Sequence, residues 1–305
     1  MTTSSAARLR NLLDEASPIV APGAFNALFA RLIEDQGFPA VYLSGAGVAN
    51  SLLGRPDLGM VTQTEMVAVA EYVCDAVDVP VICDGDTGYG GVHNVARTIG
   101  LYERAGVAAI QLEDQAFPKK CGHFEGKTVV DPEEMIQRII AARDARSGAD
   151  GILIIARTDA RAPLGFDEAL DRAHRYAEAG ADILFVEAPQ TTEELARVGT
   201  ELAGHRLMAN MVEFGKTPLL PADRLGELGF HLVIYPGALT RALVPVARQV
   251  LADLRQEGST ESWLDRMATF QEVNDVVGLP GANRWEADVA RRAAENPTTT
   301  QGADR

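Results

Sequence analysis

The sequence predicts a (β/α)8 TIM barrel with a C-terminal helical extension. Short apolar segments alternate with amphipathic helical stretches, eight such segments occur, and glycine recurs where a helix gives way to the next strand. Brief runs rich in Val, Ile and Leu are typical of parallel strands that are buried on both faces. A doubly wound open sheet is the alternative, but the count of strand–helix units favours the barrel.

The strand candidates are short and lie within the first 235 residues. They cover residues 18–21, 40–43, 79–83, 108–112, 152–156, 183–186, 206–209 and 232–235. Helical stretches between them include residues 24–36, 63–75, 92–105, 132–146 and 166–179. Glycine after a helical stretch is a C-cap signal, which marks the turn into the next strand. These glycines are Gly37, Gly106, Gly180 and Gly229.

After about residue 240 the pattern changes to helices without strands between them, at residues 242–257 and 261–277. The first of these helices can serve as the eighth barrel helix. The remainder predicts an extension that packs on this barrel or on that of another copy. We therefore divide the chain into a catalytic barrel domain, residues 1–258, and a C-terminal helical extension and tail, residues 259–305.

Composition restricts the class of protein and its partners. With 47% hydrophobic and 23% charged residues, the chain can bury a large core. A net charge of −15 argues against nucleic acid or an anionic membrane as a partner, since both would repel it. We find no signal peptide and no apolar run near the ~20 residues of a membrane span. Three cysteines without a CxxC pair make a disulfide framework improbable, so we expect a cytoplasmic protein that acts on a small molecule.

Polar side chains follow nearly every predicted strand. The active site of a TIM barrel lies at the C-terminal ends of its strands, so these side chains are the functional candidates. They are Ser44, Asp84, Asp86, Glu113, Arg157, Glu187 and Asn210. Buried carboxylates are costly unless they are paired or bind a metal, and Arg157 is the only obvious cation in this set. A divalent cation would balance the charge.

Three acids are the candidate metal ligands. Asp84, Asp86 and Glu113 offer hard oxygen donors from adjacent strands, which suit Mg²⁺ or Mn²⁺ better than zinc. Because Mg²⁺ usually keeps several waters, we expect few direct protein bonds, with Asp84 as the inner-sphere ligand. Asp159 and Asp167, in contrast, are expected to cap helices or satisfy turns.

Two further features can bind carboxylates. Residues 44–47, Ser-Gly-Ala-Gly, offer unshielded backbone N–H groups and a hydroxyl, which together form a candidate carboxylate cradle. Arg157 can clamp a second carboxylate through two parallel hydrogen bonds, and a structural ion pair with a strand-end acid is its alternative. Its position at a strand end favours the clamp.

Cys121 is the candidate reactive thiol. It lies in residues 119–123, Lys-Lys-Cys-Gly-His, where two ammonium groups and an imidazole favour the thiolate. On this pentapeptide alone, an inert exposed cysteine is an equal alternative. Cys74 and Cys83 fall on apolar stretches and are expected to be core thiols.

Seven motifs occur in an order that resembles the isocitrate lyase/phosphoenolpyruvate mutase superfamily. They are Tyr-Leu-Ser-Gly at 42–45, Pro-Asp-Leu-Gly at 56–59, Asp-Gly-Asp-Thr-Gly-Tyr-Gly at 84–90, Leu-Glu-Asp-Gln at 112–115, Lys-Lys-Cys-Gly-His at 119–123, Ala-Arg-Thr-Asp-Ala at 156–160 and Ala-Asn-Met-Val-Glu at 209–213. The resemblance covers roughly residues 18–240. Within the superfamily the chain looks most like the bacterial 2-methylisocitrate lyases.

The resemblance implies a role for each motif. The implied substrate contacts are Ser44, Gly45, Ala46, Asp84, Gly122, His123, Arg157, Glu187 and Asn210. Asp84 would bind Mg²⁺, and its waters would be held by Asp57, Asp86 and Glu113. Cys121 would be the acid that protonates the departing carbanion. The other implied catalytic groups are Lys120, His123 and Arg157.

The implied activity is a Mg²⁺-dependent carbon–carbon lyase that cleaves a 2-hydroxy di- or tricarboxylate by retro-aldol chemistry. The leading substrate is 2-methylisocitrate, which would give pyruvate and succinate. A dimethylmalate or oxaloacetate-type lyase and a carboxyphosphonoenolpyruvate mutase-like enzyme are the alternatives, and relatives form helix-swapped homotetramers. Three departures leave the substrate open: Ala46 replaces a common Gly, Phe124 is large, and Met-Ala-Thr-Phe at 267–270 replaces Met-Gln-Thr-Arg.

Overall fold

The computed structural model describes residues 3–15, 18–120, 122 and 126–295. Within this part of the chain, eight parallel strands pair in sequence order and close into a barrel through β8 and β1, which confirms the predicted fold class. Each strand ends within three residues of its predicted bounds. The strands are β1 Ile19–Ala24, β2 Val41–Leu43, β3 Val81–Asp84, β4 Ala109–Glu113, β5 Leu153–Thr158, β6 Ile183–Val186, β7 Arg206–Asn210 and β8 Leu232–Tyr235.

Helices precede β1 and connect the successive strands. They are α1 Ser5–Leu13, α2 Ala27–Asp35, α3 Gly45–Val48, α4 Gln63–Ala76, α5 Val92–Arg104, α6 Pro132–Ala145, α7 Arg161–Leu164, α8 Phe166–Glu178, α9 Thr192–Glu201 and α10 Ala222–Glu227. A π-helical segment, Ala49–Leu53, directly continues α3. The helical stretches predicted between the strands are all present.

Local sequence explains where several helices begin and end. Thr62 precedes α4, where its hydroxyl accepts from Glu65 N at 3.3 Å while its own N–H donates to the Glu65 carboxylate at 2.8 Å. Pro132 is the first residue of α6, a position at which no N–H is needed. Gly106 and Gly180 follow α5 and α8 with φ of 90° and 103°, so these predicted C-caps adopt the left-handed conformation that favours glycine.

The core has two layers. Apolar side chains inside the barrel form one layer, and those between the sheet and the surrounding helices form the other. Leu9 and Leu13 of α1 are fully buried in the inner layer together with Ile19 and Leu232, which begin their strands. The N-terminal helix therefore closes the amino ends of the strands, so that the functional side chains gather at the carboxyl ends.

The chain divides into two compact units, Met1–Val246 and Ala247–Arg305, and α11, Ala238–Glu257, contributes to both. The second unit also contains a 3-10 segment, Glu261–Arg266, α12, Phe270–Val276, and α13, Leu279–Glu295. The single helix predicted over residues 261–277 is wrong, because Met267 is extended and Thr269 caps a new helix by accepting from Glu272 N. Among the described residues, no helix is both long enough and apolar enough to cross a membrane.

Candidate active site

Most of the predicted site residues meet around one cavity of about 130 Å³ at the carboxyl ends of the strands. Those that line it are Ser44, Ala46, Asp57, Asp84, Glu113, Lys120, Gly122, Arg157, Glu187 and Asn210. Gly45 lies directly behind this wall, where an added Cβ would be 2.7 Å from the Asp84 carboxylate. Asp86 lines a neighbouring cavity of about 570 Å³. Cys121 and His123 lie outside the described residues.

Four carboxylates gather on one side of the cavity, and we call Asp57, Asp84, Asp86 and Glu113 the metal-end acids. Asp84 and Glu113 are buried at the ends of β3 and β4. Asp86 has a φ of 47°, unusual for a residue with a side chain, and its N–H donates to the Asp84 carboxylate at 3.1 Å. The strained turn after β3 therefore folds the second aspartate back towards the first.

Burial makes it energetically costly for these carboxylates to be ionised at the same time. Desolvation raises the pKa of Asp86 to about 6 and is only partly opposed by the nearby Lys119 ammonium. Desolvation also raises the pKa of Glu113 well above its usual range, against the opposing effect of Arg157. A further cation would relieve both groups.

The metal-end acids suit a hydrated divalent cation. They supply only oxygen donors, and the Oε1 atom of Glu113 is buried without a hydrogen-bond partner among the described residues. In the same residues, no three Asp, Glu, His or Cys side chains converge closely enough to ligate one ion directly. Mg²⁺ normally keeps several waters, so a site with few direct protein bonds, as the sequence predicted, fits this arrangement.

Lys119, which the sequence analysis did not assign to the site, is the ammonium among these acids. Its side chain is 4% exposed, and its Nζ lies 2.5 Å from Asp57 Oδ1 and 2.6 Å from Asp86 Oδ1. Burial alone would lower its pKa, but Asp86 and the neighbouring acids carry it well above the usual range. Lys120, the predicted catalytic lysine, instead donates its ammonium to the carbonyl of Gly126 at 3.0 Å.

The predicted carboxylate cradle is the beginning of α3. Ser44 precedes this helix, and its hydroxyl oxygen accepts from Gly47 N at 3.1 Å. Only glycine fits at position 45, because a side chain there would collide with Asp84. The cradle thus lies against the metal-end acids, so one carboxylic acid group could contact both.

Arg157 forms the ion pair that was the alternative to a substrate clamp. Its Nε and Nη2 atoms donate to the two oxygens of Asp159 at 2.8 and 3.0 Å, so its two-pronged edge is occupied. Its Nη1 atom lies 3.4 Å from Glu113 Oε2, and the guanidinium stacks 5.4 Å from the ring centre of Phe185. Arg157 still lines the cavity.

A buried network that the sequence did not reveal supports this arginine, and we call Arg157, Asp159, Lys127 and Asp114 the arginine end. Asp159 was expected to cap a helix or satisfy a turn, but it is fully buried, α7 begins without a side-chain cap, and its carboxylate pairs with Arg157 and Lys127 instead. Lys127 Nζ lies 2.6 Å from Asp159 Oδ1. Asp114 accepts from the backbone N–H of Asp159 at 2.8 Å and from three side-chain donors, which are Thr158, Arg172 and Tyr176.

Gly122 lies on top of the arginine end. A Cβ at this position would overlap Nη2 of Arg157 and Oε1 of Glu187, so the backbone can approach this pair only because the residue is glycine. The carbonyl of Gly122 accepts a hydrogen bond from Lys127 Nζ. The residue that follows Cys121 in sequence is therefore held directly over the cavity.

The wall opposite the metal-end acids is partly apolar. Asn210 Nδ2 donates to Glu187 Oε2 at 3.3 Å, and both residues line the cavity as predicted. Val212, Phe185, Ile234 and Pro236 supply apolar surface. Arg241, a cation that the sequence analysis missed, also lines the cavity, and its Nη1 atom lies 3.2 Å from Glu213 Oε2. No periodicity or motif distinguished this helix-borne arginine from a surface residue.

The thiols at positions 74 and 83 are core residues, as predicted. Cys83 is fully buried on β3, and burial raises its pKa well above the usual range. Cys74 is half-buried on α4, and burial raises its pKa to about 12. Neither thiol has the thiolate character that reactivity requires.

Comparison with known proteins identifies similar chains over nearly the whole length. The family model described as phosphoenolpyruvate phosphomutase matches residues 9–255. A 2,3-dimethylmalate lyase from Eubacterium barkeri is 48% identical over 287 residues, which cover 94% of this chain and 99% of the relative. A 2-methylisocitrate lyase from Aeropyrum pernix is 45% identical over 287 residues, covering 94% and 92%.

Solved structures show the same architecture. A crystal structure of a 2,3-dimethylmalate lyase, described as a member of the PEP mutase/isocitrate lyase superfamily, has a TM-score of 0.90 and 39% identity and covers 100% of both chains. A phosphonopyruvate hydrolase in complex with oxalate and Mg²⁺ has a TM-score of 0.83 and 30% identity, covering 94% of this chain and 99% of the other.

Proposed function

The chain belongs to the phosphoenolpyruvate phosphomutase family, within the superfamily that its motifs indicated, and we propose that it is a Mg²⁺-dependent carbon–carbon lyase. The reaction is a retro-aldol cleavage of a 2-hydroxy di- or tricarboxylate, which releases a 2-oxo acid and a carboxylate-stabilised carbanion. Relatives named as lyases at 45–48% identity support this reaction class.

One observation carries the proposal: three of the metal-end acids, Asp57, Asp84 and Glu113, line the same cavity as the carboxylate cradle. Asp84 contacts both, because it lies beside Asp86 and directly against Gly45. A 2-hydroxy acid carries its hydroxyl and carboxylate on one carbon, so the two groups fit neighbouring subsites. Mg²⁺ bound there would supply Lewis-acid stabilisation of the oxygen that becomes the 2-oxo group.

The chain's own residues then orient the substrate and move one proton. The hydroxyl of Ser44 and the N–H groups that begin α3 hold the carboxylate, and Arg157, which lines the same cavity, stabilises the forming oxo group. The substrate hydroxyl loses its proton to solvent, which a bound Mg²⁺ would favour by lowering the pKa of that hydroxyl. The oxygen then forms the C=O bond, the bond between the carbinol carbon and its neighbour breaks, and the electron pair of that bond stays on the neighbour. Cys121 donates its thiol proton to that carbon. The position of Gly122 over the cavity supports this role for the preceding residue.

The first candidate substrate is 2-methylisocitrate, and 2,3-dimethylmalate is the second. The two differ at one carbon, which carries a carboxymethyl group in the former and a methyl group in the latter. Val212, Ile234 and Pro236 favour the methyl group, whereas Arg241 could pair with the additional carboxylate if it released Glu213. The relative at 48% identity, a 2,3-dimethylmalate lyase, also favours the second candidate.

A product assay tests the reaction class. Purified protein is incubated with Mg²⁺ and, in separate reactions, with 2-methylisocitrate, 2,3-dimethylmalate, isocitrate, oxaloacetate or phosphoenolpyruvate, and released 2-oxo acid is trapped as a hydrazone. We expect pyruvate from the first or second substrate and loss of activity with EDTA. The proposal is wrong if neither hydroxy acid is cleaved and phosphoenolpyruvate is rearranged instead, as in a phosphonate mutase.

The proton donor is tested separately with Cys121→Ser and the matched control Cys74→Ser. A serine hydroxyl is a much weaker acid than a thiol, so Cys121→Ser should lower kcat by about 100-fold or more, the contribution typical of a general acid. Cys74 has no access to the cavity, and its replacement should leave kcat unchanged. Equal rates for the two variants would exclude Cys121 as the acid.

The finer physical setting is also a proposal. We propose a cytoplasmic homotetramer whose barrel domain ends near residue 258, where Gly258 follows α11 with a φ of 70°. Phe270 and Trp285 are 87% and 69% exposed in the second unit, which supports coverage by another copy of the chain. Light scattering after size-exclusion chromatography measures the assembly, and a monomeric mass would contradict it.

A further inference from the structure

Lys127 is buried at the arginine end although its sequence position gives no sign of a function. Its side chain is 1% exposed, and its Nζ lies 2.6 Å from Asp159 Oδ1. The same ammonium donates to the carbonyl of Gly122. A buried ammonium is costly unless it is paired and hydrogen-bonded, and here both conditions are met by partners on different segments of the chain.

The partner carboxylate also holds Arg157. Asp159 Oδ1 accepts from Lys127 and from Arg157 Nη2, while Oδ2 accepts from Arg157 Nε. The two cations therefore share one carboxylate, and each limits how far the other can move. The backbone of Asp159 is also held, because its N–H donates to the Asp114 carboxylate at 2.8 Å.

Gly122 connects this network to the cavity. Its backbone lies against Arg157 and Glu187 so closely that no side chain would fit, and its carbonyl is bound by Lys127. Lys127 thus contacts both groups that must keep a fixed relation: the residue after Cys121 and the carboxylate that orients Arg157. It does not itself line the cavity.

We propose that Lys127 is a positioning residue of the active site. Its ammonium binds both Asp159 and the carbonyl of Gly122. Because Asp159 also binds Arg157, this keeps Arg157 in a fixed position relative to the backbone of Gly122. The inference rests on the proposed function for its effect on catalysis but not for its effect on structure. Loss of the ammonium leaves the Gly122 carbonyl without a donor and Asp159 with one cation fewer, so both sides of the arrangement loosen.

The structural effect is measured by hydrogen exchange without substrate or metal. In Lys127→Met we expect the amides of residues 115–130 to exchange about 10-fold faster or more, as for the loss of a buried charged hydrogen bond. Helices α4 and α9 should exchange as in the unchanged protein. The matched control is Arg175→Met, which removes a cation from an exposed pair with Glu133 and should alter none of these rates.

A destabilised variant does not prevent the test. A second variant, Lys127→Leu, removes the same ammonium with a side chain of different shape and leaves Asp159 paired with Arg157, so a folding defect in one variant does not decide the outcome. The Gly122 carbonyl still lacks its donor, so exchange of residues 115–130 should stay fast. Exchange at the original rate in a folded Lys127→Met or Lys127→Leu protein would overturn the proposal.

Kinetics provide the second measurement, on the substrate that the assay identifies. Misplacement of Arg157 and Gly122 should lower kcat by about 100-fold while KM changes much less, since the groups move relative to the reacting atoms. Lys127→Arg keeps a cation, so its log kcat should recover at least about a third of the decrease that Lys127→Met causes. If Lys127→Met exchanges faster but the unchanged protein cleaves none of the substrates, the proposed function alone is refuted. If the unchanged protein is active and Lys127→Met cleaves at the same rate, the positioning role alone is refuted.

Discussion

The two ends of the cavity differ in how their charges are balanced. Among the described residues at the metal end, four carboxylates lie near the ammonium of Lys119 and the Nη1 atom of Arg157. At the arginine end, the carboxylates of Asp159 and Asp114 are surrounded by three cations and several neutral donors. The metal end therefore has fewer cations than carboxylates, whereas each carboxylate at the arginine end is paired with at least one cation.

This difference indicates that the metal end is a binding site, whereas the arginine end holds side chains in position. Desolvation, which Lys119 and Arg157 only partly oppose, leaves Asp86 and Glu113 with raised pKa values. Among the described residues, a buried oxygen of Glu113 also has no hydrogen-bond partner. Such groups gain free energy when a cation arrives. At the arginine end burial also raises the pKa of Asp114, but both carboxylates there already accept hydrogen bonds from cations, and these bonds fix the orientation of one guanidinium.

The largest effect is expected at the metal end, where Asp84→Asn removes one of the four charges. Mn²⁺ affinity, measured by titration with electron paramagnetic resonance, should fall by about 100-fold or more, and cleavage should be lost. Asp167→Asn is the matched control, because this carboxylate is 87% exposed in a surface pair with Arg197. Unchanged Mn²⁺ affinity in Asp84→Asn would remove the distinction between the two ends.

Gly122→Ala tests whether the backbone of Gly122 packs directly against the arginine end. The added methyl would overlap Arg157 and Glu187, so kcat/KM should fall by about 100-fold with little change in Mn²⁺ affinity. Gly91→Ala is the control, since its φ is −74° and a Cβ there meets open space. An active Gly122→Ala protein would mean that this backbone does not contact Arg157 in solution.

The pH dependence of stability should come from the metal end. The pKa of Asp86 is about 6 in the folded protein and about 3.9 in the unfolded chain. Between these pH values the folded protein therefore binds more protons than the unfolded chain. Without metal, stability contributed by this group is complete below about pH 4 and is lost as the pH rises through about 6. Mg²⁺ competes with the proton, so its effect on Tm should be larger at about pH 7.5 than at about pH 5.

Asp86→Asn removes this titration and provides the comparison. In that variant the Tm of the EDTA-treated protein should be flatter between the two pH values, and the increment caused by Mg²⁺ should depend less on pH. A Mg²⁺ increment in the unchanged protein that is the same at both pH values would contradict the assignment to Asp86.

The smallest effect is expected at the arginine end, in the hydrogen bonds around Asp114. Tyr176→Phe removes one of the donors to Asp114, a hydrogen bond of 2.9 Å to a buried carboxylate, and should lower the free energy of unfolding by about 1.5–3 kcal/mol. Activity should stay within about threefold because the remaining donors hold Asp114 in place. Tyr72→Phe, at an exposed position, is the control in urea unfolding. Equal stabilities would show that the network is redundant.

The sequence by itself determined the barrel and most residues at its active end. Period, segment length and C-cap glycines are local properties, so the strands lie within three residues of their predicted positions. Parallel strands of a barrel bring their carboxyl ends together, which makes Asp84, Glu113 and Asn210 neighbours without any knowledge of distances. The motif order then identified the superfamily.

Only the tertiary structure decided which charged groups pair. The sequence offered adjacent lysines, yet Lys119 lies among the metal-end acids whereas Lys120 bonds the backbone of its own segment. Asp159 resembled a capping residue, but it orients Arg157 and is itself held by Lys127. Pairing depends on which side chains are desolvated together, and that follows from long-range packing rather than from neighbours in the chain.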